Sequence, residues 1–213
     1  MSASNAQPSP ALHVNGLALA RGGRRLVSGI DLLLAPGNVV FLRGPNGAGK
    51  TSLLLALAGV LRPESGTIRM VGGDDGEPAE RRVHLLLPQS GMKARLTVRE
   101  NLDFWRALNG PTGLASEAAL ERVGLGGLGA IEAGHLSTGQ LKRLGLARLL
   151  VSHRAIWLLD EPQSALDAEG EALVGALIGA HVAAGGAAVV TTHHDIAITP
   201  PAAVLTLTLG ATR

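Results

Sequence analysis

The chain has 213 residues, enough for one domain with a full hydrophobic core. Lys and Arg total 19 against 17 Asp and Glu, a formal net charge of +2 that makes no case for a nucleic-acid partner. The absence of cysteine excludes a disulfide framework, a thiolate metal site and c-type haem attachment, and no apolar run approaches the roughly 18–20 residues of a membrane-spanning helix.

The opening "MSASNAQPSPA" (1–11) has no basic n-region and no apolar core; it reads as a loose tail, not a secretory signal. Segments 12–19 and 26–34 are Val/Leu-rich and separated by "RGGRR", which predicts antiparallel strands joined by a turn. "NVVFLR" (38–43) is a buried strand that runs into a glycine-rich stretch, and "TSLLLALAG" (51–59) is a helix ending at glycine. Loop and short strand fill 61–87, ending in the apolar "VHLLL". Helical patterns cover 97–109, 116–123 and 138–153, with Thr97 and Ser116 as expected N-caps. The run "AIWLLD" (155–160) is a buried strand, 167–183 a helix, and "AAVVTT" (187–192) and "AVLTLTL" (203–209) are further strands. This order implies an α/β core with a mostly parallel sheet, an antiparallel β section in front, and a helical subdomain inserted at about 93–150.

The stretch "GPNGAGKT" (44–51) fits G-x-x-x-x-G-K-[ST], the phosphate loop. Gly44, Gly47 and Gly49, with Pro45, Asn46 and Ala48 between them, let successive backbone N–H groups converge on an anion. Lys50 supplies a compact positive charge for the outer phosphates, Thr51 a hydroxyl for Mg²⁺, and Ser52 continues into a helix whose positive end faces the same anion. Strand 155–160 delivers two adjacent acids at its carboxyl end, where α/β folds place ligands. Asp160 is expected to hold Mg²⁺, and Glu161 to orient or deprotonate an attacking water. The spacing of Ser137 and Gln140 in "LSTGQ" is that of a capping box, so a helix should start there and present an anion site of its own.

Taken with "LLPQSG" (86–91), "LSTGQ" (136–140), "SALD" (164–167) and the histidine ending "VVTTH", these motifs resemble the nucleotide-binding domains of ABC transporters from about residue 12 onward. The resemblance implies an α/β phosphate-loop NTPase fold, with an antiparallel β subdomain and an inserted helical subdomain on a RecA-like core. It assigns Gln89 to a loop reaching the nucleotide and its Mg²⁺, Ser137, Gly139 and Gln140 to the family signature, Asp167 to the loop after the acids, and His193 to the switch. It further implies that Ser137 and Gly139 face the γ-phosphate held by a second copy, so that ATP lies between head-to-tail subunits. Two departures stand out. Thr138 replaces the usual signature glycine, and Arg21 stands where an aromatic ring commonly stacks on adenine; ATP is the expected nucleotide, with GTP as the alternative.

The stretches "RGGRRLVSGIDL" (21–32), "LPQSGMKARLTVRENLDFWRALNG" (87–110) and "LDAEGEALVGALIGAHVAAGGAAVVTTHHDI" (166–196) are similar to the ATP-binding subunits of bacterial cytochrome c maturation systems. That resemblance implies a peripheral ATPase on the cytoplasmic face of the inner membrane. It would be docked on integral membrane subunits and power haem transfer or export. The chain holds no Cys-x-x-Cys-His, and its seven histidines read most economically as structural or catalytic, so it is not expected to bind haem directly, and no nucleic-acid partner is expected. The segment after Gln89, 88–110, is the candidate docking surface, while its apolar "LDFWRAL" reads equally as subdomain core. A drug or lipid exporter would use the same nucleotide site and remains the alternative reading.

Overall fold

The computed structural model describes residues 10–22, 24–72, 82–88 and 91–210. Five parallel strands form the central sheet in the order β5-β6-β7-β3-β8: β3 (Asn38–Arg43), β5 (Val83–Leu86), β6 (Ile156–Asp160), β7 (Ala187–Thr191) and β8 (Ala203–Thr208). A separate antiparallel sheet, β2-β1-β4, is built from β1 (Ala11–Arg21), β2 (Arg24–Leu34) and β4 (Ser65–Val71). The expected tail lies outside the described residues up to position 9, and Ala11 already pairs with Val71.

The two-residue period of the strands sorts their side chains onto two cores. Val39, Phe41, Trp157, Leu159, Ala188 and Val190 face the helical side, where they join residues of α2 (Val98–Asn109), α3 (Ser116–Arg122), α4 (Thr138–Leu150) and α5 (Ala168–Ala183). The alternate residues, Val40, Leu42, Ile156, Leu158, Ala187 and Val189, face α1 (Lys50–Leu57) and the inner side of the antiparallel sheet. Burial on both faces explains why β3, β6 and β7 read as unbroken apolar runs. It also fixes their register, since a one-residue slip would exchange the two cores.

Local signals set most helix starts. Thr97 accepts from Glu100 N at 3.2 Å and Glu100 Oε2 accepts from Thr97 N at 2.8 Å, completing a capping box on α2. The predicted N-cap at Ser116 is displaced by one residue: Ala115 caps α3, and Ser116 lies in the first turn with its buried hydroxyl donated to Asp103 of α2. That bond satisfies the hydroxyl better than a solvent-facing cap would, so tertiary pairing overrides the local signal. At α5, a Cβ on Gly175 would collide with the carbonyl oxygen of Ala197, and one on Gly179 with that of Thr199. These two glycines let the segment following β7 cross directly over the helix, where Thr199 N donates to Gly175 O at 3.3 Å.

Two buried histidines anchor the end of the sheet remote from the phosphate loop. The His181 ring stacks on Trp157 with centroids 4.0 Å apart and planes 5° from parallel, while His84 Nε2 lies 2.8 Å from Ser152 O. Burial pushes His84 down from 6.5 to about 3 and His181 down to about 4. The unfolded chain therefore takes up protons first as the pH falls below 6.5, and stability present above that value drains away toward the folded values. Between pH 7 and pH 5 the loss should reach about 2 kcal/mol per histidine. Urea denaturation across that window checks this. His181→Phe should flatten the slope by one histidine's share, and an unchanged slope would contradict the assignment.

Candidate active site

The phosphate loop runs from the carboxyl end of β3 into α1, as its sequence requires. Gly44 and Gly49 have φ of +143° and +97°, and a Cβ at Gly49 would lie 2.7 Å from Val27 Cγ2. Gly49 occupies the N-cap of α1 without any side-chain cap, so the first N–H groups of the helix are left for an external anion. Lys50 is buried and crosses over the loop, where its Nζ donates to Gly44 O at 2.7 Å and Pro45 O at 3.2 Å. Asn46, Gly47, Gly49, Lys50, Thr51 and Ser52 line a cleft of about 360 Å³ that is closed on its other sides by Leu26, Pro88, Asp160 and Glu161. The two predicted motifs therefore share one cavity.

Asp160, 3% exposed, ends β6 between two hydroxyls. Thr51 Oγ1 donates to its Oδ2 at 2.7 Å, and Thr191 Oγ1 donates to its Oδ1 at 2.6 Å. Thr191 also accepts from Glu161 N at 2.8 Å, so one hydroxyl at the end of β7 fixes both acids. The half-buried Glu161 carboxylate reaches His193 Nε2 at 3.1 Å. Thr51 and Asp160 present hard oxygen donors side by side, a set that suits Mg²⁺ rather than a soft metal. Gln89, expected near this metal position, lies outside the described residues, as does the Arg21 side chain. Pro88, next to Gln89 in the chain, borders the cleft.

The signature residues lie elsewhere. Ser137 caps α4, its Oγ accepting from Gln140 N at 3.2 Å while Gln140 Oε1 accepts from Ser137 N at 2.9 Å. Ser137 is exposed, and neither it nor Gly139 nor Gln140 lines the cleft of the phosphate loop. Asp167 caps α5 by accepting from Gly170 N at 2.8 Å; that bond, with Arg143 nearby, holds its carboxyl below the usual range. The structure thus brings Lys50, Thr51, Asp160, Glu161 and His193 together and sets Ser137, Gly139 and Gln140 apart on an outer face.

Sequence reasoning passed over Thr191, Lys142 and Ser164. The adjacent hydroxyls of "VVTTH" were a signal for the first; the other two meet across 22 positions of chain, with Lys142 Nζ donating to Ser164 Oγ at 3.2 Å. Thr191→Val would leave Asp160 Oδ1 and Glu161 N without their hydroxyl partner. It should cost about 2–3 kcal/mol in urea denaturation while Thr191→Ser stays near wild type. A valine variant as stable as wild type would contradict that role.

Comparison with known proteins places the chain in a family. The family described as ABC transporter matches residues 27–164. The cytochrome c biogenesis ATP-binding export protein CcmA of Nitrobacter winogradskyi is 45% identical over 184 residues, covering 86% of this chain and 92% of that protein. CcmA of Mesorhizobium japonicum is 45% identical, covering 84% and 89%. Among solved structures, a putative ABC transporter ATP-binding protein from Pyrococcus furiosus superposes with a TM-score of 0.76 at 24% identity, covering 93% of this chain and 97% of that one. An ATP-binding cassette solved as a dimer in a post-hydrolysis state with ADP and Pi superposes at 0.77 and 20% identity, covering 93% and 96%. These two likenesses establish the fold. The extent and identity of the sequence matches establish the family: the chain belongs to the ATP-binding subunits of ABC transporters, within the CcmA group.

Proposed function

We propose that this chain is the ATP-hydrolysing subunit of a transporter that powers haem transfer or export for cytochrome c biogenesis. The observation that carries the reading is the division of anion-facing groups between two surfaces. The phosphate loop and both acids line one cleft, while the capping-box serine of α4 opens on another face. A single chain so divided grips one nucleotide from one side only. Two chains in head-to-tail contact would each close the other's site, with Ser137 and Gly139 of one on the γ-phosphate bound by the other.

In this reading the converging N–H groups of 44–51 and the Lys50 ammonium bind the phosphates of ATP and neutralise them. Thr51, Asp160 and Gln89 would hold Mg²⁺, which when bound offsets charge on the phosphate oxygens. Glu161 accepts a proton from the attacking water, or orients it, and His193 holds the carboxylate at its observed angle through the 3.1 Å bond. The water oxygen bonds to Pγ as the bond from Pγ to the bridging oxygen of the β-phosphate breaks, leaving ADP and inorganic phosphate; loss of the γ-phosphate contact then releases the Ser137 face, and the two subunits part.

The remaining assignments rest on the relatives. Their name supplies export and cytochrome c biogenesis. Among the described residues no helix is long and apolar enough to cross a membrane, so membrane passage would fall to partner subunits, with this chain docked at the cytoplasmic face of the inner membrane. The docking surface is the outer side of α2. Leu102 is fully buried and Trp105 packs on the core beneath Arg148, whereas Phe104 and Leu108 are 43% and 64% exposed. The "LDFWRAL" run is thus shared between core and free surface.

Three variants test the shared site by ATPase and nucleotide-binding assays on the assembled transporter. Lys50→Ala should lose nucleotide binding or hydrolysis. Glu161→Gln should bind ATP, hydrolyse it about 100-fold more slowly and accumulate the closed dimer. Ser137→Arg should bind ATP as an isolated subunit yet fail to close; normal hydrolysis by this variant would refute the composite site.

A further inference from the structure

We propose that Lys142 is a positioning residue for hydrolysis: its buried ammonium holds the turn that carries Glu161 and so ties the signature helix to the chain's own acid. The inference rests on the reading of Glu161 as the group that acts on water.

The turn after β6 is strained. Glu161 and Ala165 have φ of +47° and +64°, left-handed values that a residue with a Cβ adopts at a cost of about 1–3 kcal/mol. Such a conformation persists only where the surroundings over-determine it. Here the carbonyl oxygen of Glu161 accepts from both Ser164 N at 3.2 Å and Ser164 Oγ at 3.0 Å. The serine hydroxyl has one proton, which it gives to Glu161 O, so its lone pairs must look for a donor elsewhere. Lys142 Nζ supplies it at 3.2 Å.

Lys142 itself is 6% exposed, and a cation so placed must be compensated. Burial draws its pKa down, and the Glu161 and Asp160 carboxylates act against that loss. Among the described residues its only hydrogen-bond acceptor is Ser164 Oγ. The ammonium is therefore plugged beneath the acid-bearing turn and does not serve an exposed surface.

Helical periodicity explains why α4 can reach that turn. Gly139, Lys142 and Arg143 stand at i, i+3 and i+4 and so share one face. A Cβ at Gly139 would lie 3.4 Å from Ala165 O, Lys142 meets Ser164, and Arg143 Nη2 meets Asp167 Oδ1 at 3.3 Å. One face of the signature helix thus meets Ser164, Ala165 and Asp167. Movement of α4 that accompanies engagement of Ser137 would pass through these contacts to the backbone of Glu161.

Steady-state hydrolysis and ATP binding by the assembled transporter test this with Lys142→Met, which keeps length and removes charge and donor, and with Ser164→Ala. Each should lower kcat by about 10–100-fold while the Kd for ATP stays within about twofold, as expected for a displaced catalytic group. The double variant should be no slower than the slower single, and Lys142→Arg should recover most of the rate. A Lys142→Met enzyme with wild-type kcat, or single losses that multiply in the double variant, would overturn the proposal. Should Lys142→Met fail to assemble, Ser164→Ala decides alone on the same two readouts. Glu161→Gln run in parallel separates the two levels: if it hydrolyses ATP at the wild-type rate, the underlying reading fails, whereas a strongly slowed Glu161→Gln beside a normal Lys142→Met removes only the positioning role.

Discussion

The bonds from Thr51 and Thr191 to Asp160 join three elements that are far apart in the chain. A carboxylate this buried requires donors on both oxygens, and here one comes from the start of α1 and the other from the end of β7. The phosphate loop is thereby held against the acid that ends β6, and the same Thr191 hydroxyl fixes the backbone of Glu161. The register of β6 against β7, which places Asp160 opposite Thr191, is in turn set by burial of both sheet faces. Packing and site chemistry are consequently one constraint in this fold.

A second consequence concerns what moves. The segment bearing His193 leaves β7, crosses α5 over Gly175 and Gly179, and returns as β8. Arg43, the last residue before the phosphate loop, is paired with Asp195 on that segment. His193 is therefore tethered on both sides of its bond to Glu161. The signature face of α4 is tethered too, through Gly139, Lys142 and Arg143 to the turn and helix start at 164–167. Contacts from two directions converge on Glu161, one from the chain's own phosphate loop and one from the surface that the proposed partner would touch.

Much of this was legible in the sequence because the signals were local. The phosphate loop, the apolar strands flanking it, the N-cap at Thr97 and the capping box at Ser137 each depend on residues within a few positions of one another. The parallel core followed from strands alternating with helices. What escaped notice depends on partners remote in the chain. Ser116 looked like an N-cap until Asp103 of α2 claimed its hydroxyl, and nothing local to Gly175 and Gly179 announces the Ala197–Thr199 backbone that lies over them. Lys142 and Ser164 went unpaired, since the 22 positions that separate them carry no pattern that joins the two.

In the proposed cycle two copies of this chain close on ATP while seated on membrane subunits of cytochrome c biogenesis. The most direct measurement is to purify tagged Glu161→Gln protein from its native membranes with ATP and Mg²⁺, then determine its copy number and the proteins that accompany it. The account predicts two copies of the chain together with cytochrome-maturation membrane subunits. Recovery as a lone monomer would contradict the shared site, and recovery with the membrane subunits of a different transporter would contradict the assignment to cytochrome c biogenesis.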